Sequence, residues 1–199
     1  MNKDYTGNKK SPFVTIGATG HSSEQREAHD FYATDPEAVR LLLEQEDFLP
    51  NIWEPAAGLN HIADELKQAG YKVRVSDIVR RLAEQEEIDF LQYDSSKKWK
   101  GDIITNPPYR YAINFARKGL DILRNGNKLA LLLKLTFLEG INRKKFFEQN
   151  PPVRIYVFSK RIRCAKNGEF DKYKSASAMC FAWFVWQKGF NGKPTIDWL

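Results

Sequence analysis

The seven residues Ile103-Ile104-Thr105-Asn106-Pro107-Pro108-Tyr109 join an apolar run to a rigid turn that ends in a phenol ring. Two successive prolines fix φ and remove two backbone donors, so neither a helix nor a central strand continues through them. Proline also drives the residue before it into extended geometry, which holds Asn106 at a strand end. The turn then presents one side-chain amide, a row of carbonyl oxygens and the ring of Tyr109. Those groups can grip a planar substrate that carries an exocyclic amine: the oxygens accept from the amine and the ring covers the face. An Asn-Pro-Pro-Tyr turn can also do no more than end a strand, so its meaning depends on its company.

A second set of residues precedes it. Asn51-Ile52-Trp53-Glu54 reads as a short strand and Pro55-Ala56-Ala57-Gly58-Leu59-Asn60 as a turn of mostly small residues. Residues 61–69 read as a helix closed by Gly70, and residues 71–77 as a strand with Asp77 at its carboxyl end. This is the βαβ rhythm of a parallel, doubly wound sheet, in which ligands bind beyond the carboxyl ends of the strands. Asp77 follows Gly58 by about twenty residues, the separation at which an acid accepts from ribose hydroxyls. Glu54, Gly58 and Asp77 together point to a nucleoside. Further on, Asp89 can accept from an exocyclic amine while Phe90 lies on an adenine face.

The remaining elements must position these groups. Thr34 or Asp35 can cap a helix with Pro36 at its first position, and Val39, Leu41, Leu42 and Leu43 give its stripe. Residues 99–105 form the strand that delivers the Asn-Pro-Pro-Tyr turn. Residues 111–124 form a basic helix, 128–135 a central strand, 143–147 the start of a short basic helix, and 153–158 and 177–186 two further strands. The expected fold is α/β and doubly wound, mostly parallel with a C-terminal antiparallel strand. A flexible polar arm over residues 1–25 leads into one domain over 26–199.

Composition narrows the partner. The 199 residues carry a formal charge of +6, but residues 110–174 hold 16 Lys/Arg against 5 Asp/Glu, a net of +11. Residues 1–109 hold 13 basic and 19 acidic residues, a net of −6. The basic excess starts directly after Tyr109, which suggests a polyanion approaching the second half. Cys164 and Cys180 are widely spaced with no CxxC, so they read as free, mostly buried thiols in a reducing cytosol rather than metal ligands. No apolar run reaches the length of a membrane span, and the N-terminus is too polar for a signal peptide.

Asn106-Pro107-Pro108-Tyr109 after a strand, preceded by Glu54-Pro55-Ala56-Ala57-Gly58, Asp77 and Asp89-Phe90-Leu91, resembles the S-adenosylmethionine-dependent amino-methyltransferases. The nearest likeness is to the short adenine-specific (N6) DNA methyltransferases of phages and prophages, and it runs over roughly residues 25–199. It implies a Rossmann-like class I methyltransferase sheet with S-adenosyl-L-methionine as cofactor. Phe31, Thr34 and Pro36 would flank the cofactor. Glu54 and the Pro55, Ala56 and Gly58 backbone would hold its methionine end. Asp77, with Ile78 beside it, would take the ribose, and Asp89 and Phe90 the adenine. Asn106 and Pro107 would accept from the target amine, with Pro108 shaping the turn and Tyr109 stacking on the base. Arg110, Lys134, Arg143, Arg161, Arg163 and Lys166 would meet phosphate or guanine.

The chain departs from the pattern in places. Asn60 stands where a second glycine is usual, and Asn tolerates left-handed backbone. His61 reads as a residue of the helix start. The aromatic that would close over the far face of the base is Phe158 or one in the 159–175 segment. The turn itself is shared by enzymes acting on RNA adenine, on cytosine N4 and on a protein glutamine. A nucleic-acid-binding relative without catalysis is a further reading.

Overall fold

Lys128–Lys134 carries five buried residues between two half-buried lysines, the pattern of a strand covered on both faces. The computed structural model describes residues 32–162, 164–166 and 179–199; the expected arm, Phe31 and Arg163 lie outside the described residues. In chain order the elements are β1 (Tyr32–Thr34), α1 (Pro36–Gln45), β2 (Asn51–Glu54), α2 (His61–Gln68), β3 (Lys72–Asp77), β4 (Glu86–Glu87) and β5 (Asp102–Thr105). Then come α3 (Ala112–Ile122), β6 (Lys128–Lys134), α4 (Ile141–Gln149), β7 (Arg154–Val157), β8 (Cys164–Lys166), β9 (Phe181–Gln187) and β10 (Thr195–Trp198).

Among the described residues, eight strands make one sheet in the order β10-β7-β9-β6-β5-β2-β3-β4. β9 runs antiparallel to both β6 and β7, and the other pairings are parallel. This is the doubly wound, mostly parallel sheet expected from the sequence, with its antiparallel strand near the C-terminus. Alternation along β6 divides the core. Leu129, Leu131 and Leu133 pack with Phe115, Ala116 and Leu120 of α3 on one face. Ala130 and Leu132 pack with Val39 and Leu42 of α1 and Ile62 and Leu66 of α2 on the other.

Local rules explain the boundaries. Asp35 caps α1 by accepting from Glu37 N at 3.2 Å, with Pro36 at the first position. The strand expected from residue 99 begins at Asp102 instead. Trp99 N donates to Ile122 O (2.9 Å), and Gly101 packs so close that a Cβ would lie 1.9 Å from Asn51 O. α4 begins at Ile141, two residues before its expected start, behind Gly140 at φ 113. Two features carried no periodic signal: the antiparallel ribbon of β1 and β8, which sets Thr34 opposite Cys164, and the edge strand β10.

Candidate active site

A cavity of about 280 Å³ opens at the carboxyl ends of β2, β3 and β5. It is lined by the end of β1, the turn after β2, the start of α2, the end of β3, the 89–92 turn and the 106–111 segment. Of the residues singled out from sequence, Thr34, Glu54, Pro55, Ala56, Asp77, Ile78, Asp89, Phe90, Asn106, Pro107, Pro108, Tyr109 and Arg110 all line it. Pro36 opens α1 outside the lining, and Gly58 shapes the turn from behind.

The turn after β2 is fixed by hydrogen bonds that the sequence did not announce. Gly58 (φ 55) and Asn60 (φ 65) are both left-handed. Gly58 N donates to Asp77 Oδ2 (2.9 Å), which ties the turn to the acid that ends β3. Gln85, buried at 3% exposure, donates through Nε2 to Gly58 O (2.8 Å) and Asn60 Oδ1 (2.6 Å). Asn60 Nδ2 in turn donates to Glu84 Oε1 at 2.7 Å. Asn60 thus supplies the left-handed backbone a glycine would give, and its side chain is used as well. Asp77 Oδ1 also accepts from Val79 N (3.0 Å) and Arg81 Nη1 (2.8 Å), so this acid organises the loop beside any role toward ligand.

Glu54 is the most unusual group in the site. It is 1% exposed, and its Oε2 has no hydrogen-bond partner among the described residues. Burial pushes its carboxyl well above the usual carboxylate range, and nearby Asp77 adds to the push. A buried carboxylate with a spare oxygen at a cavity wall suits a cationic ligand group. His61, the first residue of α2, also lines the cavity, and burial lowers its imidazole below the ordinary value. Asp89 is exposed and its Oδ1 accepts from Leu91 N (2.9 Å). The Phe90 ring is 2% exposed, held between Trp53 (5.3 Å between centroids) and Phe115 (5.0 Å). It forms cavity floor, while Ile78, half exposed, is the apolar surface nearer the mouth.

At the end of β5, Asn106 Nδ2 donates to Thr34 Oγ1 (3.0 Å), a contact between residues 72 apart in sequence. Pro107 is buried, and Tyr109 starts the 3-10 turn Tyr109–Tyr111. The Tyr109 ring lies 5.7 Å from that of Phe181, and Lys134 Nζ sits 4.9 Å from its centroid. Tyr111, 39% exposed with Arg110 4.5 Å over its ring, is an aromatic at the cavity wall that sequence reasoning missed. Phe158 lines a smaller cavity of about 200 Å³ beside the first, together with Arg161 and Phe181. Cys180, expected to be buried, is exposed because it lies just before β9 begins at Phe181, and Arg161 Nη1 reaches its Sγ at 2.8 Å. Arg143 lies over the Phe137 ring at 5.6 Å, and Lys166 is on β8 opposite Tyr32.

Neither a protein-family model nor a curated protein matches the chain. Solved structures do. A type I restriction-modification methyltransferase subunit from Streptococcus thermophilus superposes with a TM-score of 0.59 at 12% identity, over 84% of this chain and 47% of that one. The chain shares the fold of this subunit. A Listeria monocytogenes protein provisionally assigned as a class I S-adenosylmethionine-dependent methyltransferase gives 0.56 at 15% identity, over 96% of this chain and 72% of that one. A Pyrococcus horikoshii protein provisionally assigned as an RNA methyltransferase gives 0.56 at 12% identity, over 89% and 96%. The chain spans less than half the length of the restriction-modification proteins it matches, with 46%, 26% and 47% covered in three of them. Among the described residues no helix is long and apolar enough to cross a membrane.

Proposed function

We propose that the chain transfers a methyl group from S-adenosylmethionine to an exocyclic amine of a nucleic-acid base, with adenine N6 of DNA as the substrate. The observation that carries this is the shared cavity: Asn106, Pro107, Pro108 and Tyr109 line the same space as Glu54, Asp77 and Asp89. The cofactor fits the residues present. Glu54, with its spare buried oxygen, would hold the methionine ammonium, the Pro55-to-Gly58 turn would lie against it, Asp77 would meet the ribose, and Asp89 and Ile78 the adenine. When bound, the cofactor supplies an electrophilic methyl on a sulfonium.

The chain's own residues would do the rest by positioning. An exocyclic amine is a poor nucleophile because its lone pair is delocalised into the ring. The Asn106 side-chain oxygen and the Pro107 carbonyl would accept from its two hydrogens, favouring a pyramidal nitrogen whose lone pair faces the methyl. Tyr109, backed by Phe181, would stack on the base. In a duplex that base must first leave the stack. Lys134, Arg110, Arg143 and Arg161 would meet the nucleic-acid backbone. The restriction-modification neighbours favour DNA, and the RNA methyltransferase neighbour keeps RNA adenine as the second reading.

Asn106→Ala tests the assignment. Transfer should fall to background while the cofactor dissociation constant stays within about threefold, since the residue is assigned to transition-state positioning. Unaltered transfer by this variant contradicts the role given to the turn.

A further inference from the structure

We propose that Thr34 is a positioning residue for Asn106, setting the direction of the amide that accepts from the target amine. The inference deepens the reading above and rests on it. In the resemblance, Thr34 merely flanks the cofactor. In the structure its hydroxyl oxygen also accepts from Asn106 Nδ2 at 3.0 Å. The two polar atoms of an amide lie on opposite arms of one trigonal carbon, so holding the nitrogen fixes where the oxygen points. The alternative orientation, turned by half a revolution, would set N–H donors against the hydrogens of the amine, donor against donor. An Asn at the end of a strand has no covalent reason to prefer one orientation. Thr34 supplies an acceptor for the nitrogen arm and so holds the amide in place; because a hydroxyl can accept or donate, the target amine, which needs an acceptor, selects the oxygen for the arm that faces it.

Thr34 is suited to that task. It is 3% exposed, so the hydroxyl meets little competing water. It is also held in place by strand pairing, since β1 runs antiparallel to β8 with Thr34 opposite Cys164. The contact joins the first strand to the catalytic turn across 72 residues, a link that no local sequence pattern encodes. It also means that the β1–β8 ribbon, whose second strand carries Lys166, sets the geometry of the reacting centre.

The test compares wild type with Thr34→Val, which keeps the branched shape without the hydroxyl, and Thr34→Ser, which keeps the hydroxyl without the methyl. Three quantities are read: kcat on adenine-containing DNA, the S-adenosylmethionine dissociation constant, and hydrogen exchange of the Asn106 side-chain amide in ¹⁵N–¹H spectra. Thr34→Val should lower kcat about tenfold to a hundredfold, leave the cofactor constant within about threefold, and speed exchange of the Asn106 amide protons. Thr34→Ser should restore kcat and slow exchange. Unchanged kcat in Thr34→Val overturns the proposal, as does a loss expressed only as weaker cofactor binding. A Thr34→Ser variant as impaired as Thr34→Val also overturns it, because packing would then be the cause. If wild type itself transfers nothing to DNA or RNA, the proposed function fails instead, and the exchange measurement decides the Thr34–Asn106 contact by itself.

Discussion

Glu54→Gln should do two opposite things. In the native chain the carboxyl is 1% exposed, burial raises its pKa well above the usual range with Asp77 and Asp64 adding to this, and a hydrogen bond from the Ala63 backbone opposes it. A carboxyl whose native pKa stands above its unfolded one binds its proton more tightly when folded. The stability it contributes is full below the ordinary carboxylate value of about 4.3 and is lost as pH rises from there through the native pKa. The amide has no proton to lose, so it escapes that loss. Free of cofactor, the variant should match wild type at pH 4 and exceed it at pH 7.5 by on the order of 1 kcal/mol, or about 2–4 °C in melting temperature. Cofactor binding should move the other way. Exchanging a charge-assisted hydrogen bond for a neutral one removes about 1–2 kcal/mol, which is roughly five- to thirtyfold in affinity. Calorimetric titration with S-adenosylmethionine and melting curves at the two pH values read both effects. A variant that binds the cofactor as tightly as wild type, or that melts below it at pH 7.5, refutes the reasoning.

Two other residues give sharp tests. Gln85→Ala removes the side chain that spans Gly58 O and Asn60 Oδ1 and accepts from Arg81 N (2.9 Å) and Leu82 N (3.1 Å). Leaving those buried and half-buried groups unpaired should cost about 2 kcal/mol, seen as a lower denaturation midpoint together with weaker cofactor binding. A wild-type midpoint would show that the turn stands without it. Lys134→Ala takes away the ammonium over the Tyr109 ring, and should lower the salt slope of DNA binding by about one without altering cofactor affinity. An unchanged slope would place Lys134 off the nucleic-acid path.

The parts of the fold legible in sequence were those with strong periodicity or punctuation. The apolar run of β6, the helix start at Pro36 (though not which of Thr34 and Asp35 caps it) and the strand-turn-helix around Glu54 to Asp77 were each readable from residue types alone. So was the gathering of Glu54, Asp77, Asp89 and the Asn-Pro-Pro-Tyr turn at one edge, because a doubly wound sheet brings strand ends together there. What escaped was set by tertiary pairing. β1 and β8 are three residues each, too short to show alternation, and each has meaning only beside the other. Gln85 sits in a polar stretch, and nothing around it shows that its side chain turns inward to Gly58. The Phe90 ring was readable as apolar but not as floor, since Trp53 and Phe115 reach it from other elements.

The central claim is tested most directly by methyl transfer from labelled S-adenosylmethionine to duplex DNA, single-stranded DNA and RNA in parallel, each product digested to nucleosides and identified by mass. The proposed assignment predicts label in N6-methyladenine from a DNA pool, abolished in Asn106→Ala. Label in N6-methyladenine from RNA alone would move the substrate to the second reading. No label in any pool, with cofactor binding intact, would contradict a nucleic-acid amino-methyltransferase.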